Sequence, residues 1–230
     1  MSRLVIATRA SQHGLSMVEL LVGAAIALFI AAAGTTLLAG NLRENRSLLL
    51  EARVTQDLRT AADVITRDLR RAGYWAAATD GVWSVDAPAA VANPYVALAP
   101  GAAASDAVSF RYSRDTVENN LVDSNEQFGF RLRNGALEMQ LGAGNWQALT
   151  DAGTLVVTAF SVTPGVQEIS LQHLCDVPCP PASVTCPPRQ QVRSLAVVLS
   201  ARSATDASVT RSLHSTVRLR NDSLVGACAS

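Results

Sequence analysis

The chain contains no lysine, so all 19 of its basic residues are arginine. That uniformity points to the coding bias of a GC-rich genome rather than to a class of partner. An equal number of acidic residues brings the formal net charge to zero, which removes any global electrostatic case for nucleic acid. Histidine is scarce at three residues: His13 lies near the start, and His173 and His214 lack a supporting motif. Neither Gly-x-Ser-x-Gly nor His-Glu-x-x-His occurs. With no base, nucleophile or metal cluster in a recognisable pattern, no catalytic residue, metal site or cofactor is expected. Proline is missing from the whole of Leu15–Ala72, so nothing there forbids a continuous helix. From Leu15 to Gly40 charge is missing too, with one exception, Glu19.

That exception organises the reading. Twenty or so apolar residues suffice to cross the roughly 30 Å hydrocarbon core as a helix. A carboxylate inside such a run costs about 2.5–3.5 kcal/mol and generally has a function. Glu19 lies one helical turn after Leu15, with Gly14 just before. A cut between Gly14 and Leu15 would create an α-amino group at the head of the apolar helix, and a neighbouring copy could offer that amine to Glu19. The helix macrodipole also favours an anion in the first turn. Two plainer readings compete. A secretory signal peptide could be cut near Ala31-Ala32-Ala33, but the apolar run exceeds the usual 7–15 residues and carries a glutamate. An uncleaved anchor is the other. Arg3 and Arg9 precede the run, so the positive-inside rule keeps residues 1–14 cytoplasmic and exports the rest. Their removal would leave the mature chain slightly acidic.

Gly14 followed by Leu15-Ser16-Met17-Val18-Glu19-Leu20-Leu21-Val22 resembles the class III signal of type IV pilin-like proteins. In that family a prepilin peptidase cuts after the glycine and N-methylates the new first residue. The resemblance implies cleavage at Gly14/Leu15, methylation of Leu15, and a role for Glu19 in assembly and subunit registration.

Beyond Gly40, Leu50, Val54, Leu58, Ala61, Ile65, Leu69 and Ala72 recur at spacings of three and four, one apolar face of a helix. Arg43, Glu44, Arg46, Arg53, Asp57, Arg59, Asp63 and Arg67 fill the other side, with Asp63 and Arg67 placed as an i,i+4 pair. Gly73 stands at the position of a C-terminal cap. Residues 74–104 read as a loop region with one short strand. Alternation then predicts strands over Val108–Tyr112, Phe128–Arg133 and Leu137–Leu141, with Asn134-Gly135 as a hairpin turn. Trp146 and Leu149 lead to a further strand expected around Thr154–Val162, with Val166–Leu171 and Val192–Arg202 following and Val209–Leu219 ending the sheet. The fold class is α+β: a long N-terminal transmembrane and amphipathic helix packed on an antiparallel β-sheet, as in type IV pilins. The expected organisation is a leader over residues 1–14, a transmembrane assembly helix over 15–40, its amphipathic half over 41–73, and a periplasmic domain over 74–230.

Arg67-Asp68-Leu69-Arg70-Arg71-Ala72-Gly73-Tyr74-Trp75 resembles the end of the long helix in PilW-type minor pilins. Gln191–Leu199 and Thr216–Asn221 are similar to the last two strands of that family. The resemblance implies a minor pilin of the type IV pilus, which primes fibre assembly in support of twitching motility, adhesion or DNA uptake. Its partners would be prepilin peptidase, other minor pilins, the major pilin and the inner-membrane assembly platform. The chain would sit in the bacterial inner membrane as a single-pass protein and then in the fibre. A J-type pseudopilin of type II secretion shares the helix and its ending. A membrane-anchored binding module that never polymerises is the reading from another class.

Four cysteines remain. Cys175, Cys179 and Cys186 share a proline-rich loop, and Cys228 is near the C-terminus. With His173 they could be drawn as a Cys₃His zinc site, but the spacing matches no zinc motif and an exported chain favours disulfides. Three pairings are open, with a leaning to one bridge within the loop and one to Cys228. Arg189, Arg193, Arg202, Arg211, Arg218 and Arg220 make the C-terminal part locally basic. They could form a DNA-contacting stripe, but no exposed aromatics are interleaved, so the first reading is the solvated face of alternating strands.

Overall fold

The computed structural model describes residue 14 and residues 16–81, 91–181 and 183–229. Helix α1 (Met17–Leu69) comes first. Nine strands follow among the described residues: β1 (Leu98–Ala99), β2 (Ala107–Arg111), β3 (Gln127–Arg133), β4 (Ala136–Leu141), β5 (Trp146–Ala148), β6 (Leu155–Ser170), β7 (Arg189–Ser203), β8 (Thr210–Arg218) and β9 (Ser223–Val225). The chain forms two compact units, Met1–Leu48 and Leu49–Ser230, whose boundary falls inside α1.

In the first unit every described residue from Ser16 to Arg46 is exposed, including Leu28, Phe29 and Leu37. The most apolar 18-residue window has a mean hydropathy of 2.2. A helix this apolar, with nothing packed on it in its own unit, has the length and composition to cross a membrane.

The second unit uses the other half of α1 as a spine. Val54, Leu58, Ala61, Ile65, Leu69 and Ala72 are buried in the predicted order, joined by Ala62, and Leu50 packs half-buried against them. Each large aliphatic side chain on this face contributes about 1.5–3 kcal/mol by leaving water. The predicted Asp63–Arg67 pair is not found among the described residues; Arg67 lies 3.9 Å from Asp68 instead. An exposed i,i+4 pair is worth only a few tenths of a kcal/mol, too little to hold two mobile side chains in one geometry.

The spine packs with two antiparallel sheets. The first has the order β1-β2-β3-β4-β5 and turns Phe110, Phe128, Phe130 and Leu137 into the core. Its β3–β4 hairpin places Arg133 opposite Ala136, with Asn134 at φ 50° and Gly135 at φ 75°. Two left-handed residues define the turn type that Asn-Gly favours. The second sheet has the order β6-β7-β8, and β9 pairs with the remaining stretch of the β7 edge beside β8. The sheets touch through Ser105 and Val162, which exchange backbone hydrogen bonds of 3.1 and 2.8 Å.

One expectation fails here. Thr154–Val162 and Val166–Leu171 are not two strands but one, β6, 16 residues long and broken only by a bulge between Val157 and Ala159. Pro164 and Gly165, residue types that disfavour a strand interior, sit inside it. Val162 directs its N–H away from β7 toward Ser105, so Pro164, two residues on, turns its missing N–H to the same open edge. Proline is tolerated at that position.

Regular α-helix also ends earlier than predicted, at Leu69. The next residues tighten into three-residue turns, with Arg71 and Ala72 donating to Asp68 and Leu69. Gly73 then takes φ 76°, which favours glycine. Its N–H goes to Arg111 of β2 at 2.8 Å rather than back to the helix. Its carbonyl accepts the side-chain amides of Asn93 and Asn221. The helix end, the 91–96 loop and the segment after β8 thus meet on one residue.

Candidate functional sites: the helix start and the cysteine-bound tail

Gly14 and Ser16 precede α1 and are non-helical; Leu15, the predicted first mature residue, lies outside the described residues, as do Arg3, Arg9, His13 and Trp83. Ser16 donates its backbone N–H to Glu19 Oε2 at 3.0 Å, and Glu19 donates its own to Ser16 Oγ at 3.3 Å. This reciprocal capping box satisfies two donors that a helix start otherwise leaves bare. Water cannot supply those partners inside a membrane, so the box matters more there. Glu19 therefore has a local partner in the single chain, and among the described residues its Oε1 has none. Hydropathy and the macrodipole account for Glu19 without Ser16, which the structure adds as its cap partner. The signal was present as Ser-x-x-Glu immediately before an apolar run.

At the other end of the chain, Cys175 is bonded to Cys228 and Cys179 to Cys186. All four sulfurs are thus in disulfides. The bridges stand where β6 and β7 run out into the proline-rich loop. Leu171 N–H bonds Pro188 O at 2.9 Å, Ala227 N–H bonds Thr185 O at 2.9 Å, and Arg189 reaches Val184 O at 3.1 Å. Gly226 turns at φ 84°, where a side chain would collide with the Thr185 carbonyl. Tail and loop are therefore fixed to one another by backbone pairing as well as by sulfur.

The six C-terminal arginines do not form one stripe. Arg193 and Arg211 take the same face of β7 and β8 as buried Leu195 and Ala201, whereas Arg202 and Arg218 take the opposite face. Arg211 pairs with Glu51 of α1, Arg218 with Asp222 at 3.0 Å, and Arg189 with Glu168 at 3.6 Å. Arg193 donates to Val96 O at 2.9 Å and Asn221 O at 3.0 Å, and burial pulls its affinity for a proton down despite nearby Asp222.

A polar cluster behind the helix end was not foreseen. Fully buried Glu126 accepts the N–H groups of Arg114 at 2.7 Å and Asp123 at 2.9 Å. Glu118 accepts the Tyr95 hydroxyl and the Asn120 N–H at 2.9 Å each, and the Ala76 N–H at 3.3 Å. Burial alone would raise the Glu118 pKa, but these donors, with the Ser113 hydroxyl nearby, hold it below its usual value. Tyr95 is displaced far upward, first by burial and then by its two acidic neighbours, Glu118 and Glu126. Asp115 is raised by burial and by the carboxylates of Glu126, Asp123 and Glu118. The cluster ties residues 113–126 to the start of the loop region; its carboxylates are close in sequence, but the Tyr95 and Ala76 donors they hold are distant, and no local pattern announces the pairing.

Comparison with known proteins adds one result. A family model described as prepilin peptidase-dependent protein B matches residues 47–219. The match begins after Glu19 and covers the spine, the first sheet and strands β6 to β8 of the second. No curated protein and no solved structure matches the chain.

Proposed function

The chain belongs to the prepilin peptidase-dependent protein B family, a group of type IV pilin-related proteins, and we propose that within it the chain acts as a PilW-type minor pilin. In this reading the precursor enters the inner membrane through α1, with its second unit in the periplasm. Prepilin peptidase removes residues 1–14 and methylates Leu15. The mature subunit joins other minor pilins and the major pilin on the assembly platform and helps to prime the fibre. The protein acts as a peptidase substrate and a structural subunit and catalyses nothing itself.

The observation that carries the reading is Glu19, held in the first turn of α1, whose stretch to Gly40 is otherwise uncharged, apolar and exposed. A carboxylate inside an apolar membrane-spanning run calls for a cationic donor from another molecule, and a neighbour's α-amine is one. Family membership supports the peptidase dependence. The Arg67-Asp68-Leu69-Arg70 ending is equally compatible with a J-type secretion pseudopilin, which differs in the fibre it enters.

The absence of lysine makes the test simple, because the α-amine is the only primary amine in the chain. The N-terminal peptide would be identified by mass spectrometry from membranes of cells with and without prepilin peptidase. A methylated Leu15 terminus that disappears without the enzyme is expected. An intact Met1 or Ser2 start in both strains, or a start after Ala33, would refute the proposal. Co-purification with pilus subunits, rather than secretion components, separates minor pilin from pseudopilin.

A further inference from the structure

The outer face of the first sheet carries a hollow that neither the spine nor the tail uses. Its volume is about 230 Å³, and its lining includes Ala97, Ala99, Ser109, Arg111, Gln127 and Gln140. Register explains the gathering. Ala99, Ser109, Gly129, Gln140 and Trp146 lie in one row across β1 to β5, and Arg111 faces Gln127 in the next. Gly129 stands between Ser109 and Gln140 and adds no side chain; a Cβ there would lie 2.7 Å from Val108 O. Just beyond Gln140 the Trp146 ring reaches over Gly129 and is held there by Arg131, 3.9 Å from the ring centroid and bonded to Glu138 at 2.7 Å.

The polar side chains round this hollow share one property. Those of Ser109, Arg111, Gln127 and Gln140 make no hydrogen bond or ion pair among the described residues. Two carboxamides and a hydroxyl each offer donor and acceptor together, which suits hydroxyl groups on adjacent ring carbons. Ala97 and Ala99 offer a small apolar wall to C–H groups. Arg111 is the one charged group of the lining, and its fork suits a carboxylate. A phosphate-rich ligand would want several free cations, and neighbouring Arg131 is already taken by Glu138. The volume suits one pyranose ring.

We propose that this hollow binds a single acidic sugar residue of a polysaccharide, its hydroxyls to Gln127, Gln140 and Ser109 and its carboxylate to Arg111. The site does not depend on the minor-pilin reading and would survive its failure.

The test uses the full chain in a detergent without a sugar headgroup, with saturation-transfer NMR titrations of D-glucuronate, D-glucose and acetate. A lone sugar of this size is expected to bind with Kd on the order of 1 mM. Arg111→Ala should weaken glucuronate by about tenfold or more and leave glucose unchanged. Gln140→Ala should weaken both sugars. None of these side chains has a partner among the described residues, so the variants should melt like the parent, and Arg111→Lys serves as a milder second variant with intermediate binding. Three results would each overturn the proposal: no transfer to glucuronate well above that concentration, acetate binding as tightly as glucuronate, or Arg111→Ala and Gln140→Ala both binding like the parent.

Discussion

The two disulfides give a prediction whose size follows from chain topology. Cys175–Cys228 spans 53 residues and Cys179–Cys186 spans seven. Cross-links stabilise chiefly by limiting the unfolded chain, and the chain-entropy relation gives about 4 kcal/mol for the longer loop and about 2.4 kcal/mol for the shorter. The difference, about 1.8 kcal/mol, depends only on the ratio of the loop lengths. Paired serine substitutions are required, Cys175→Ser with Cys228→Ser and Cys179→Ser with Cys186→Ser, because a single leftover thiol would invite mispairing. Equilibrium urea unfolding of the full chain in detergent provides the readout. Trp75, 4 % exposed and bonded to Asn120 at 2.8 Å, reports on the second unit through its fluorescence. The variant lacking Cys175–Cys228 should be the less stable of the two by roughly 1–2 kcal/mol. Equal losses, or a larger loss from the short loop, would refute the loop-entropy argument and place the stabilisation in native contacts of the tail.

Other consequences can be checked separately. Glu19→Ala should leave cleavage after Gly14 intact, because Ser16 Oγ still caps Glu19's own N–H position, yet it should impair incorporation into fibres; normal piliation would defeat the assigned role. Gly73→Ala forces a side chain into φ 76° against the Arg193 guanidinium, 3.3 Å from the new Cβ. It should lower the unfolding free energy by about 1–3 kcal/mol, and Gly73→Asn by less, since asparagine tolerates left-handed backbone. Glu118 is held below its usual pKa, so its stabilising effect is present above the unfolded value of about 4.3 and disappears as pH falls through the lower folded value. An acid titration of thermal stability should show that loss, and Glu118→Gln should flatten it; an unchanged profile would mean that these hydrogen bonds do not favour the charged form.

Legibility differed by element, for physical reasons. The spine could be read residue by residue because a helix with one buried face stamps its period on the sequence, and Val54 through Ala72 proved buried in that order. The Asn134-Gly135 hairpin was legible because its turn demands two left-handed residues. Strand β6 was misread because a proline breaks a strand only when its N–H is needed, and edge position is a property of the sheet rather than of the segment. Division into two sheets, β9, and the placing of the arginines on opposite faces were hidden for the same reason. Cysteine pairing was left open because sequence carries no distance between residues 175 and 228. The Ser16–Glu19 box, by contrast, was written locally, and its signature is a matter of four residues.

Gly73 has a mechanical consequence. Its N–H and carbonyl fasten the helix end to β2, to the 91–96 loop and to the segment after β8, while Glu51 and Arg211 fasten the spine to β8 further back. A pull on the second unit's helix along its axis is therefore shared among bonds that strain side by side, instead of being met by one bond after another. Bonds loaded in parallel yield together and at higher force than bonds that unzip. The unit should behave under tension as one rigid link that holds and then fails in a single step, and removal of the Asn221 amide should lower the force at which that step occurs in single-molecule pulling.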